Sequence, residues 1–188
     1  LHQRLAEALT GAGRGAEAAR SFLAAASLLA SEAPGDLRLT DLRRRGAEQH
    51  LRSGHTREGI EGMREVLEGV GVRMPASPPR AALSMLRHRA RFLLRGSTFV
   101  PRRRDEVPAQ ALARLDALWG AATSLSMINH SIADALGVQH LVEALELGER
   151  SRVGRALGLE ASFESGIGGA FFRGRSAEMR RVVRTSSL

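Results

Sequence analysis

The chain has 188 residues, 43% of them hydrophobic, and a net charge of +8 from 28 basic and 20 acidic side chains. That apolar share is too high for a disordered chain and enough to bury a core. Cysteine is absent, which excludes disulfides, thiolate zinc sites, iron–sulfur clusters and a cysteine nucleophile. Every basic residue is Arg, and Lys and Tyr are missing. This Arg-only, Ala- and Gly-rich usage fits a GC-rich coding sequence, so the positive excess is not by itself a functional signal. Strand-forming residues are scarce and aromatics make up only 4%, so an all-α chain with close helix–helix contact is expected.

In chain order, Leu1, Leu5, Ala8 and Leu9 share one face of a first helix. Gly11 and Gly13 break it, and a second helix is expected from Gly15 to Ala30, with Ala18, Phe22, Ala25 and Leu29 turned inward. Pro34-Gly35-Asp36 closes this unit. Shifted by 41 residues, the pattern returns: Ala6 falls on Ala47, Gly13 on Gly54, Glu17 on Glu58, Ala18 on Gly59, Phe22 on Met63 and Ala25 on Val66. A helix ending near Arg52 is thus followed by one from about Arg57 to Val70, with Thr56 expected as its N-cap. Glu58 lies in the first turn, where the helix dipole favours a carboxylate.

From Gly71 to Val107 the character changes: Pro75, Pro78, Pro79, Pro101 and Pro108 bracket one short helix, Arg80 to Arg95. Residues 69–104 hold nine Arg and no acidic residue, so the rest of the chain is close to neutral. Arg80, Arg87, His88, Arg91 and Arg95 fall within one sector of this helix, opposite Leu83, Leu86, Ala90 and Leu93. Such a helix can meet anionic lipid, nucleic acid or an acidic partner through Arg80, Arg87, Arg91 and Arg95. The simpler expectation is a connector whose apolar side packs on the repeats and whose Arg side is solvated. Nucleic acid is disfavoured, because no aromatics interleave the basic residues.

Beyond Pro108, Leu112, Leu115, Trp119, Ala122 and Leu125 line one helical face. A further helix carries Ile132, Ala135, Leu136, Leu141, Val142 and Leu145 and stops at Gly148. Another carries Val153, Ala156, Leu157 and Leu159 to about Glu164, and a last one starts near Ser176. Neither end reads as a polar cap, so a piece of a longer protein is expected. No basic-then-apolar leader is visible, and the longest nearly apolar run, Phe22 to Ala30, is too short to span a membrane.

Candidate chemistry is thin. Gly169 to Ser176 has a P-loop skeleton with Arg175 at the Lys position, but without a preceding strand it reads as an inter-helix loop. None of the six His forms H-E-x-x-H or an i,i+4 His pair; His140 and Glu143 read as a helix-surface pair. Asn129 to Asp134 reads as helix capping rather than Ser/His/Asp chemistry. No catalytic, cofactor-binding or metal-binding residues are assigned, and no kinase signature is present.

Leu5, Ala6, Leu9, Gly13, Ala18, Phe22 and Ala25 resemble the tetratricopeptide repeat, and Ala47 to Val66 resembles a degenerate second copy. The resemblance implies an α-solenoid: two tetratricopeptide-like hairpins in residues 1–75, a basic connector at 76–107, and further hairpins in 108–188. The chain also resembles the helical region that follows the ATPase module in large bacterial serine/threonine protein kinases. That likeness rests on Gly11 to Ala19, Leu51 to His55, Val70 to Pro75, Leu125 to Met127 and Arg155 to Ala161. It implies a cytoplasmic, non-catalytic segment that contacts neighbouring domains or a peptide partner. A helical-repeat segment of a STAND-type ATP-dependent transcriptional regulator is the alternative.

Overall fold

The computed structural model describes residues 1–166, with side chains to residue 161. Eight α-helices make up this part: α1 His2–Gly11, α2 Gly15–Glu32, α3 Arg38–Arg52, α4 Thr56–Gly69, α5 Pro78–Arg95, α6 Ala109–Leu125, α7 His130–Leu147 and α8 Arg150–Gly166. The fold is all-α, and no strand occurs among the described residues. The P-loop-like run at Gly169 and the helix expected near Ser176 lie outside them.

The 41-residue repeat has a physical counterpart. Gly13 and Gly54 both take a positive φ, 73° and 84°, in turns where a side chain would be strained. Each turn reverses the chain, so that α1 packs on α2 and α3 on α4. Ala6 and Ala47, Ala18 and Gly59, and Phe22 and Met63 are all buried. Small residues sit where helices nearly touch: a Cβ at Gly59 would come within 2.5 Å of the Leu51 side chain. Larger ones fill the space behind them, Phe22 beside Leu42 and Met63 beside Leu118.

Three expectations for this half are corrected. The side of α1 that packs is that of Ala6, while Leu1, Leu5 and Ala8 are exposed. A helix that packs mainly on one neighbour, here α2, needs only a narrow contact stripe, and close approach selects the small residue. Thr56 is the first residue of α4 and not its cap; His55 precedes it, and the Thr56 hydroxyl turns back to the Gly54 carbonyl. Ala25 and Leu29 are only partly covered, and Ala26 is the buried residue of that turn.

The second half is joined to the first by one continuous apolar core. Ala47, Met63, Leu67, Val72 and Met74 pack with Leu118, Ala121, Leu125 and Leu136. Thus α6 rests on α3 and α4, and α7 on α6. Helix α7 is buried on nearly every side, with Ala133, Leu136, Leu141, Val142 and Leu145 all inaccessible. Such a helix must be wrapped, and α5, α6 and α8 wrap it. Its start is capped by Asn129, whose side chain accepts from the Ile132 N–H at 3.2 Å. Its end is Gly148, with φ 74°, where a Cβ would collide with the Val100 carbonyl oxygen. The connector is pinned at that point, the Arg102 N–H donating to the Gly148 carbonyl at 2.8 Å.

Truncating Met63 to Ala should destabilise the chain by about 2–5 kcal/mol, and Phe22 to Ala by about 3–5 kcal/mol. Gly59→Ala should cost about 1–3 kcal/mol by overpacking against Leu51, while the equivalent Ala18→Gly leaves the contact intact and loses less. Chemical denaturation followed by circular dichroism measures all four. If Phe22→Ala unfolds no earlier than a surface variant, the equivalence of the two hairpins fails.

Candidate interaction surfaces

Helix α5 was expected to turn its leucines inward and its arginines outward; the structure reverses much of this. Ala81, His88 and Phe92 form the buried stripe against α7, whereas Leu83, Leu86 and Leu94 are 68%, 65% and 90% exposed. The reason lies outside α5. Phe92 enters the core beside Leu115, Leu141 and Leu145, and acidic side chains on α7 and α8 draw the neighbouring arginines inward. Arg89 pairs with the buried Glu160 of α8, and Arg91 with Glu146 of α7 at 2.8 Å. Arg95 donates to the Leu145 carbonyl at 2.8 Å and the Thr98 carbonyl at 2.7 Å. Long arginine stems cover apolar surface while their heads reach these partners.

The four arginines proposed from sequence therefore divide. Arg91 and Arg95 clamp α5 to α7, whereas Arg80 and Arg87 are exposed and make no hydrogen bond or ion pair among the described residues. His88 does not belong to a positive strip. It is buried, its Nδ1 lies 2.9 Å from the Ser84 carbonyl, and burial holds its pKa below the ordinary value.

A second feature was not visible in the sequence. A cleft of about 1080 Å³ opens between the start of α3 and the start of α6. Its lining includes the apolar Leu37, Val107 and Leu112, with Arg38, Arg44, Arg103, Arg104 and Arg152 around them. Arg44 is held by Asp41 at 2.5 Å and by Glu48, and Arg152 by Asp116 at 2.5 Å and Glu149 at 3.0 Å. Burial alone would raise the Asp116 carboxyl, but hydrogen bonds from Arg152 and Arg155 outweigh it and keep its pKa low. Arg38 and Arg103 carry local partners, Asp36 and Asp105, while Arg104 makes no such contact among the described residues. The cleft is thus apolar inside and internally neutralised on its walls, with Arg104 at its edge the cation that has no ion-pair partner among the described residues.

Deeper in, His140 is fully buried, which corrects its reading as a surface pair with Glu143. Glu143 instead takes a two-pronged contact from Arg114 at 2.7 and 2.8 Å. Arg114 also donates to the Val70 carbonyl, tying α6 and α7 to the end of α4. The His140 ring lies 5.6 Å from Trp119, and neither of its nitrogens has a hydrogen-bond partner among the described residues. Among the described residues no group of three or more His, Asp and Glu is placed to hold a metal ion. No helix among them is long and apolar enough to cross a membrane. No family model, curated protein or solved structure matches the chain.

Burial lowers the His140 pKa to about 4, with Arg155 and Arg152 reinforcing the shift and Asp116 and Glu143 opposing it. The folded chain therefore holds this ring neutral while the unfolded chain takes up a proton below about pH 6.5. The associated stability is complete above that pH and falls as pH drops toward 4, by about 2 kcal/mol between pH 7 and pH 5. His50 and His88 are shifted down by burial too and add a slope of the same sign. His140→Leu should be tolerated at pH 7 and should remove its own share of that slope. Urea unfolding at several pH values measures it; an unchanged slope would mean that the ring is protonated in the fold.

Proposed function

We propose that this chain is a non-catalytic helical-repeat segment for protein interaction, belonging to a larger bacterial serine/threonine protein kinase with an ATPase module. In this reading the paired helices form a solenoid of tetratricopeptide-like hairpins. The observation that carries it is the repeated hairpin: the same glycine turn and the same buried small and large positions recur 41 residues apart. Repeats of this kind stack neighbour on neighbour and present an extended surface to partners. The cleft between α3 and α6 is the contact site we assign, with apolar floor residues and a positive edge suited to an extended peptide carrying acidic side chains.

The kinase parent rests on the resemblance of the sequence, and the flanking coding sequence tests it. Upstream H-R-D and D-F-G motifs support it; their absence together with a downstream helix-turn-helix would move the segment to a transcriptional regulator. Peptide selection tests the interaction reading. A random peptide library presented to the folded chain should enrich acidic residues around an apolar one. Arg103→Glu with Arg104→Glu should then weaken the selected peptides at least about tenfold. Peptides without acidic bias, or indifference to the double change, would remove the cleft from the proposal.

A further inference from the structure

The outward side of α5 carries more apolar surface than a solvated connector needs. At about 100° per residue, Leu83, Leu86, Ala90, Leu93 and Leu94 fall in a sector about 100° wide, all of them exposed. Arg87 and Arg80 follow at the edge of that sector, exposed and unpaired among the described residues. Residues 69–104 contain no acidic side chain, and Glu146, which shares a recess with Arg87, is paired with Arg91. The opposite side of the helix is occupied by α7, through Phe92 and the Arg91 and Arg95 clamps. The leucines therefore form an exposed ridge among the described residues, backed by α7.

We propose that the leucine ridge of α5 docks on an anionic lipid surface, lying in the interface with Arg80 and Arg87 at headgroup level. An apolar stripe bordered by arginines is the pattern of a helix that rests in the plane of a bilayer rather than crossing it. Its charge complements acidic headgroups, each juxtamembrane arginine adding to the attraction. A protein partner would have to supply a matched groove for Leu83 and Leu86. A bilayer requires only an apolar ridge with cations along its edge. A nucleic acid would use the arginines and leave the leucines in water. The ridge thus favours lipid over both.

Flotation of the whole chain with vesicles tests this. Vesicles of phosphatidylcholine with about 30% phosphatidylserine should carry the chain upward, and phosphatidylcholine alone should carry far less. Leu83→Ser with Leu86→Ser should reduce partitioning at least about tenfold. Arg80→Gln with Arg87→Gln should reduce it by about thirtyfold. These side chains are exposed, so circular dichroism should show unchanged helicity in every variant. The proposal is overturned if neither vesicle binds, or if both bind equally. It also fails if the serine variant binds as well as the parent, since adsorption is then purely electrostatic. Binding to duplex DNA or RNA without flotation, lost only in the Gln variant, would make the ridge a nucleic-acid contact. A dimer in sedimentation velocity that the serine variant dissociates, without flotation, would make it an interface between copies.

Discussion

The arrangement of the second half follows from having to enclose α7. This helix is buried on nearly every side, with the strip of Gln139, Glu143 and Glu146 left partly open, so neighbours must cover the rest. Helix α6 covers one side and α8 another, both close to it in sequence. The remaining side needs a helix from elsewhere, and α5 supplies it, although α5 lies between α4 and α6 in the chain. The proline-rich stretches on either side of α5 let the chain leave the path from α4 to α6 and return to it. Phe92 is the apolar anchor of this detour, and the pairs Arg91–Glu146 and Arg89–Glu160 fix its register.

Much of the architecture was legible in the sequence, for identifiable reasons. Helix limits were set by glycine and proline, and α2, α4, α6 and α8 lie close to where their periodicity places them. The inward residues of α7 and most of those expected on α6 were legible because these helices meet neighbours on broad apolar faces. Trp119 is only partly covered, however, and the buried Ala117, Leu118 and Ala121, on the side facing α3 and α4, were not legible. Nor was the face of α5, because its own composition does not decide it. Seen alone, the leucine side is the more apolar and the arginine side the more polar. The deciding partners, Glu146, Glu160 and the Leu145 carbonyl, lie 50 to 71 residues further on. The burial of His140 was missed for a related reason: a polar residue one turn from Glu143 suggests an exposed pair, but Glu143 is taken by Arg114 from another helix. The α3–α6 cleft has no local signal at all, since it arises where two distant helix starts meet.

The absence of lysine bears on how these partners are used. Arg114 contacts both oxygens of Glu143 and a backbone carbonyl at once, and Arg152 reaches Asp116 and Glu149 together. A planar guanidinium can serve several acceptors in fixed directions, which an ammonium on a flexible stem does less well. Several arginines of this chain thus join helices to one another. Breaking one such buried pair is costly because it strands its partner charge.

This use of arginine changes how the net charge of +8 is to be read. Counting residues places the whole excess in one connector, as though that segment were a uniform basic patch. In the fold the connector's charge is sorted by partner. Arg89 and Arg91 are consumed by acidic residues of α7 and α8, and Arg95 by backbone carbonyls. What remains outward is smaller: Arg73, Arg102, Arg104 at the mouth of the cleft, and Arg80 and Arg87 beside a row of exposed leucines. A solvated patch would need none of the leucines, and a packed connector would have buried them. Their exposure next to charge that has no partner among the described residues is the feature that composition concealed.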